Sequence, residues 1–312
     1  MTEPFRIALI QTTPENDPEA NLLRAERMCR EAAAKGAVIL CLPELFRSRY
    51  FCQKEDATFF DLAEPIPGPT VDRLGTVALE TETTIIAPLF EKRGPGLYHN
   101  SAAILSPSGD IQTLYRKMHI PDDPSYYEKF YFTPGDTGFF AVDTPHARIA
   151  VLICWDQWFP EAARLAALDG AEILFYPTAI GWLPQEKAEF GETQYDAWRT
   201  VQRGHAIANG LFAATVNRAG REEIEDSSIE FWGGSFVSDP QGRVLAEAAR
   251  DAEEILMTEI DLSLVEETRR NWPFLRDRRI DAYDGLLQRF RSDTHPPSSS
   301  SLDPSFSSSK RR

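Results

Sequence analysis

Short apolar runs alternate with amphipathic helical stretches along most of this chain, and that alternation restricts it to an α/β architecture. Residues 5–11 read as a buried strand. The helix expected over 18–35 repeats Leu22, Ala25, Cys29 and Ala32 on one face and stops at Gly36. Residues 37–42 form the next strand, which ends at Pro43-Glu44. A helix over 70–80 and a strand over 84–90 continue the pattern. It is then interrupted by a hairpin, 101–105 with 111–116, joined through Ser106-Pro107-Ser108-Gly109-Asp110. A long stretch without periodicity, 118–144, follows, and its aromatic content argues for order.

Alternation resumes with a strand over 148–153, a helix over 161–168, a strand over 172–176, a helix over 195–209 and a strand over 211–216. A second hairpin joins 234–238 to 243–247, and a last strand lies near 255–260. Two hairpins within a strand–helix series predict mixed sheets with helices outside, not a purely parallel doubly wound sheet. No fixed-period repeat is visible. From residue 292 the chain turns Ser/Pro-rich, so one domain is expected over 1–291 and a disordered tail over 292–312.

The formal charge is −15 over 312 residues. Such a surface disfavours nucleic acid and anionic membrane as partners; it reads first as a device for solubility and only second as mildly favouring a cationic small molecule. No apolar run is long enough to span a bilayer, and no basic segment followed by an apolar one opens the chain. The four cysteines, Cys29, Cys41, Cys52 and Cys154, form no C-x-x-C pair and no metal-ligand spacing with histidine. Free thiols in a reducing cytoplasm are therefore expected.

Cys154 is the thiol placed for chemistry. An apolar strand delivers it to its C-terminal end, and Pro160 suits the first turn of the helix that follows. A helix N-terminus favours a thiolate, and the Trp155 N–H is placed to face a developing oxyanion. The alternative reading of Cys154 is an inert buried thiol. Cys29 fits a packed helix face, Cys41 an apolar strand and Cys52 a loop with nothing nearby to activate it. Glu44, at the end of another strand, is a carboxylate suited to proton transfer; taken alone it reads as a solvated strand-end glutamate. By residue type, His119 and His205 are its rivals as partners for a cysteine. Lys117 closes a strand and, near a thiol, would stabilise an oxyanion; taken alone it reads as a surface lysine.

Together these residues resemble the nitrilase superfamily of carbon–nitrogen hydrolases. The resemblance rests on Leu42-Pro43-Glu44, on Tyr115-Arg116-Lys117-Met118-His119-Ile120-Pro121 and on Ile153-Cys154-Trp155-Asp156, in that chain order. Phe132-Thr133-Pro134-Gly135-Asp136 and Gly170-Ala171-Glu172 match as well, and the likeness covers about 5–289. It implies a four-layer α-β-β-α sandwich of two mixed sheets, a homo-oligomer of two or more copies, and neither metal nor organic cofactor. It assigns the base to Glu44 rather than to a histidine, the oxyanion contact to Lys117 and the nucleophile to Cys154. It also implies a second carboxylate, Glu128, that positions Lys117 and the substrate.

Four stretches look like the N-carbamoylputrescine amidase branch: Tyr50-Phe51-Cys52-Gln53, the run from His119 to Phe132, the run from Cys154 to Glu161, and Tyr176-Pro177-Thr178-Ala179-Ile180-Gly181. That branch implies hydrolysis of a cationic urea to putrescine, carbon dioxide and ammonia, with Tyr50, Trp155 and Thr178 near the substrate. The segment 182–192 departs from the branch pattern. There Glu186, Glu189 and Glu192, with Glu189 foremost, are candidate counter-charges for a substrate ammonium, or else an acidic solvated loop. Amidases for N-carbamoyl amino acids, β-ureidopropionase-like enzymes and ω- or aliphatic amidases are the neighbouring alternatives. Enzymes with carboxylate-bearing substrates need a cation in the pocket, and Arg47 and Arg49 are the residues to inspect. Readings from other classes are a non-catalytic binding protein on the same fold and a redox-sensing thiol protein, which would need a resolving cysteine near Cys154.

Overall fold

The structure is a computed structural model that describes residues 3–290. Its first half runs β1 (Phe5–Gln11), α1 (Pro18–Ala34), β2 (Ala37–Cys41), α2 (Pro69–Thr81), β3 (Thr84–Gly94), β4 (Leu97–Leu105) and β5 (Ile111–Arg116). The aperiodic stretch that follows holds a single-turn helix, α3 (Glu128–Tyr131), and β6 (Val142–Asp143). The second half runs β7 (Arg148–Val151), α4 (Pro160–Leu168), β8 (Ile173–Pro177), β9 (Gly181–Trp182), α5 (Lys187–Asn209) and β10 (Phe212–Val216). Then come β11 (Ala219–Ile224), β12 (Ser227–Trp232), β13 (Phe236–Ser238), β14 (Val244–Glu247), β15 (Glu254–Ile260) and α6 (Ser263–Asn271).

Two six-stranded sheets result, ordered β15-β1-β2-β3-β4-β5 and β14-β13-β10-β8-β7-β6. Their layouts match. Three parallel strands form each centre, β1, β2 and β3 in one and β7, β8 and β10 in the other. One antiparallel strand borders the first of these, β15 or β6, and an antiparallel pair extends from the third. The crossovers are α1 and α2 in the first half and α4 and α5 in the second. The chain thus repeats its topology without a sequence repeat, because pleat alternation and helix amphipathicity leave the residues themselves free to differ.

Side chains alternate across β1 as the pleat requires. Ile7 and Leu9 join Ile149, Ile173 and Phe212 of the second sheet in one core. Ala8 and Ile10 face the other way, against Leu22 and Ala25 of α1 and Leu74 and Val77 of α2. Ala162, Ala163 and Ala166 of α4 pack against the second sheet. The layers are therefore helix, sheet, sheet, helix, the four-layer α/β sandwich expected. The Asp17 carboxylate caps α1 by accepting the Glu19 N–H at 2.9 Å, and Pro160 occupies the first turn of α4.

The strands expected over 84–90 and 101–105 extend to meet as a β3–β4 hairpin, α6 is a helix beyond those expected, and two further local readings change near the site. The helix expected over 195–209 starts at Lys187, so most of the segment considered as an acidic loop is helical. Its added turns bury only Gly191, which packs under Trp182 and accepts the indole N–H at 2.9 Å, so no apolar periodicity announces them. A third sheet, β11-β12-β9, is also present. Its hairpin turns at Glu225, in the left-handed region, and Asp226, and its first strand is rich in glutamate, so it lacks both the turn signal and the β-forming residues that flag a hairpin.

The chain divides into two compact units, Met1–Phe274 and Leu275–Arg312. The first holds every element named above. Of the second, residues 275–290 are described and contain two short 3₁₀ turns, Ile280–Ala282 and Asp284–Leu287. The Ser/Pro-rich tail expected over 292–312 lies outside the described residues. No helix among the described residues is long and apolar enough to cross a membrane.

Candidate active site

Strand ends deliver the site. Glu44 lies just past β2, Lys117 directly after β5, and Cys154 three residues past β7, while Glu128 opens α3 in the long aperiodic stretch. Glu44, Lys117 and Glu128 are fully buried and Cys154 nearly so. The Lys117 ammonium donates to Glu44 Oε1 at 2.8 Å and to Glu128 Oε2 at 2.6 Å. An ammonium has three donors, so one N–H is left over.

Each carboxylate is held by a second donor. Asn100 Nδ2 donates to Glu44 Oε1 at 2.7 Å, and the Tyr50 hydroxyl donates to Glu128 Oε1 at 2.7 Å. Glu44 Oε2 is buried with no hydrogen-bond partner. A buried, unpartnered carboxylate oxygen is costly unless chemistry uses it. Lys117 is fixed at both ends of its peptide unit: its N–H donates to Asn100 O, and its carbonyl accepts the Gly135 N–H, both at 2.8 Å. A Cβ at Gly135 would sit 2.1 Å from Arg116 O, so only glycine permits that approach.

Cys154 adopts φ +44°, a left-handed conformation that a side-chain-bearing residue holds only under constraint. The constraint is Asp156. Its buried carboxylate accepts the Ile153 N–H at 3.0 Å, the Tyr115 hydroxyl at 2.7 Å and the His119 N–H at 3.0 Å, and pairs with His119 Nδ1 at 2.7 Å. Sequence reasoning gave Asp156 no role, because an acid two residues past a strand-end cysteine reads as a turn residue. His119 is held against Asp156 and stacked on Phe159 with ring centroids 3.7 Å apart. His205 Nε2 is bonded to Gln157 O at 2.8 Å.

Burial sets the charges. It pushes the Cys154 thiol well above its ordinary range; Glu44 and Glu128 push the same way, against Lys117. This runs against the expected thiolate preference, because desolvation outweighs the lysine. Burial likewise pushes the Glu128 carboxyl up to about 7, against the pull of Lys117. Lys117 is held well above its ordinary value: burial alone would lower it, and the two carboxylates outweigh that. Among the described residues, no group of three or more His, Cys, Asp or Glu side chains is arranged to hold a metal ion.

Cys154 and Glu128 open into a cavity of about 390 Å³. Trp155, Trp158, Trp232 and Tyr126 supply aromatic walls, and Asp123 and Glu186 add carboxylates. Among the described residues, no Arg, Lys or His lines it. Arg47 pairs with Glu64, and Arg49 donates to Glu223 O at 3.3 Å; neither lines the cavity. Of the residues expected near substrate, Trp155 is on the wall and Glu128 at its base. Tyr50 stands behind Glu128, fully buried. Thr178 is buried beside Gln157, its hydroxyl 3.2 Å from Gln157 Oε1, while the next residue, Ala179, reaches the wall. Glu189 is exposed on the first turn of α5 and off the lining. Glu186, which precedes that helix, takes the wall position, because the helix begins earlier than the sequence pattern indicates.

A thiol, an ammonium and a carboxylate buried at the ends of strands from facing sheets, with a second carboxylate from the single-turn helix α3, define a class of α/β hydrolytic site. The chain belongs to the carbon–nitrogen hydrolase family, whose model matches residues 6–270. It is 46% identical over 286 residues to the N-carbamoylputrescine amidase of Arabidopsis thaliana, covering 90% of this chain and 94% of that protein. It is 40% identical to the citrullinase of Francisella tularensis subsp. tularensis, covering 92% and 99%. The crystal structure of a carbon–nitrogen hydrolase from Helicobacter pylori G27 superimposes with a TM-score of 0.90 at 45% identity, covering 93% of this chain and 100% of that one.

Proposed function

We propose that this chain hydrolyses N-carbamoylputrescine to putrescine, carbon dioxide and ammonia. The observation that carries the reading is the cavity around Cys154, whose charged lining side chains are all carboxylates: Asp123, Glu128 and Glu186. An ammonium-bearing alkyl urea fits such a wall, with the aromatic rings attracting the cation and excluding water. A substrate ending in a carboxylate would lack a partner there.

Glu44 Oε2 takes the proton from Cys154 Sγ, and the thiolate attacks the ureido carbon. The carbonyl electron pair moves to oxygen, where the remaining Lys117 N–H and the Trp155 N–H receive it. The Trp155 N–H lies in the first turn of a 3₁₀ helix, Cys154–Trp158, where backbone donors have no intrahelical partner. Collapse of the tetrahedral adduct expels a nitrogen that takes the proton from Glu44, leaving a thiocarbamate on sulfur. Glu44 then deprotonates a water that attacks this carbon, and sulfur leaves with the proton. The released carbamic acid falls to carbon dioxide and the second amine. Glu128 fixes Lys117 for this sequence. Burial favours the protonated sulfur, which gives the base its task at the start of each turnover.

Homo-oligomerisation, of a dimer or larger, is part of the same reading. Leu165 and Leu168 on α4 are 47% and 49% exposed, an apolar pair on the outer helical layer that a second copy would cover. A cytoplasmic location is in keeping with four free cysteines.

Ammonia release from N-carbamoylputrescine, citrulline and N-carbamoyl-β-alanine, run in parallel, tests the assignment. All three share the ureido group, and the latter two carry a carboxylate. Preference for the first by two orders of magnitude in kcat/KM is expected; preference for either carboxylate-bearing urea overturns it.

A further inference from the structure

One fully buried guanidinium ties the two carboxylates of the site together from behind. Arg218 follows β10 and has no exposed surface. Its Nη2 donates to Glu44 O at 2.7 Å and to Leu45 O at 2.8 Å. Leu45 is in the left-handed region, φ +50°, so the turn after the base turns both carbonyls onto the guanidinium. Nη1 donates to Ser48 O at 3.2 Å and to both oxygens of Glu222, at 2.8 and 3.1 Å.

Glu222, on β11, is also fully buried, and its Oε2 accepts the Tyr50 N–H at 2.6 Å. The Tyr50 hydroxyl in turn donates to Glu128. Two branches therefore leave one side chain. The first ends on the backbone of Glu44; the second runs through Glu222 and Tyr50 to the carboxylate of Glu128. Lys117 lies between the two ends, bonded to both.

The residues flanking Arg218 bind the cavity wall to the same unit. Asn217 donates to Ile180 O at 3.0 Å and accepts the Ile180 N–H at 3.1 Å, and Ile180 lines the cavity. The Arg218 carbonyl accepts the Gly233 N–H at 3.0 Å, next to Trp232 on the wall. Phe231 and Tyr50 place their rings 5.2 and 5.9 Å from the guanidinium carbon.

We infer that Arg218, with Glu222, is a positioning residue for the reaction: it sets the spacing of Glu44 and Glu128 about Lys117, and so controls turnover without touching substrate. Burying an ion pair is costly and seldom repaid in stability alone, so a fully buried pair at this place calls for another benefit. Here the Nη1 and Nη2 groups of the guanidinium meet five acceptors while Nε has no partner among the described residues, whereas a lysine ammonium has three donors and no fixed fork. The inference rests on the reading of Glu44 as base.

Its test compares full-length wild type, Arg218→Lys, Arg218→Ala, Glu222→Gln and Glu44→Gln by kcat, KM, the pH dependence of kcat, and melting temperature. Arg218→Lys is expected to lose kcat by about 10²-fold, the scale of a 1 Å misplacement, with KM nearly unchanged and the acid limb of the pH profile displaced. Millimolar methylguanidinium is expected to restore turnover to Arg218→Ala and not to Arg218→Lys. If Arg218→Ala does not fold, Arg218→Lys and Glu222→Gln carry the test. A lowered melting temperature with wild-type kcat and pH profile in both overturns the inference and leaves the pair a structural one. Glu44→Gln separates the two ideas. Retained turnover there sinks the base assignment; its loss beside a fully active Arg218→Lys sinks the positioning role alone.

Discussion

At the scale of single residues, the site is a problem in managing buried charge. Two carboxylates face one ammonium, and Glu44 keeps one oxygen unpaired. Cys154→Ser and Cys154→Ala should abolish turnover while the melting temperature stays near wild type; full activity in either would remove the nucleophile assignment. Glu44→Gln should lose roughly 10²–10⁴-fold in kcat, the range of a proton-transfer contribution. Lys117→Ala should lose about 10²–10³-fold, the range of one oxyanion donor. Glu128, raised to about 7, predicts a pH effect. Below that value it takes up a proton and no longer shares the charge of Lys117, so Lys117 is countered by Glu44 alone. Turnover should therefore fall as pH drops through about 7, and Glu128→Gln should give a low activity that lacks this limb. A limb that persists unchanged in Glu128→Gln assigns it elsewhere. The three strand-end residues were legible because their types and order are local to short motifs. Asp156, Arg218 and Glu222 were not, since their roles consist of bonds to residues distant in sequence.

At the scale of elements, most strands and the crossover helices were readable from periodicity, while α6, the β3–β4 hairpin, the first turns of α5 and the β11–β12 hairpin were not. The first turns of α5 bury only Gly191, and the first strand of the β11–β12 hairpin is largely polar, with Trp232 of β12 as the hairpin's residue on the cavity wall. Both elements supply substrate contacts in the proposed function, and both are written in residues that also make good loops. The early start of α5 moves the acidic wall position from Glu189 to Glu186. Glu186→Gln should raise KM for N-carbamoylputrescine about fivefold with little change in kcat, because a half-exposed ion pair contributes about 1 kcal/mol. Glu189→Gln should leave KM unchanged. Equal KM effects in a titration of both variants would place the ammonium elsewhere on the helix.

At the scale of the whole molecule, burial dictates how stability depends on pH. Burial raises the thiols of Cys41, Cys52 and Cys154 well above 9.0 and that of Cys29 to about 12, and it raises the hydroxyls of Tyr50 and Tyr115 well above 10.0. The folded chain therefore keeps protons that the unfolded chain gives up from pH 9 upward. Fewer protons on the unfolded state mean stability falls with rising pH. A melting temperature that declines steeply from pH 9 to 11, with several protons released on unfolding, is the expected result; a flat profile would contradict the burial of these groups. The amino-acid sequence by itself determined the α/β class, the two hairpin interruptions, the order of Glu44, Lys117 and Cys154, and the acidic balance, because periodicity, turn chemistry and short motifs are local properties. Only the tertiary structure decided that two halves with one topology face each other, that burial pushes the cysteine thiol up, that Glu186 lies on the wall, and that Arg218 joins the carboxylates. Each of these depends on which surfaces are removed from water together, and that is settled by packing across the two sheets rather than by any stretch of chain alone.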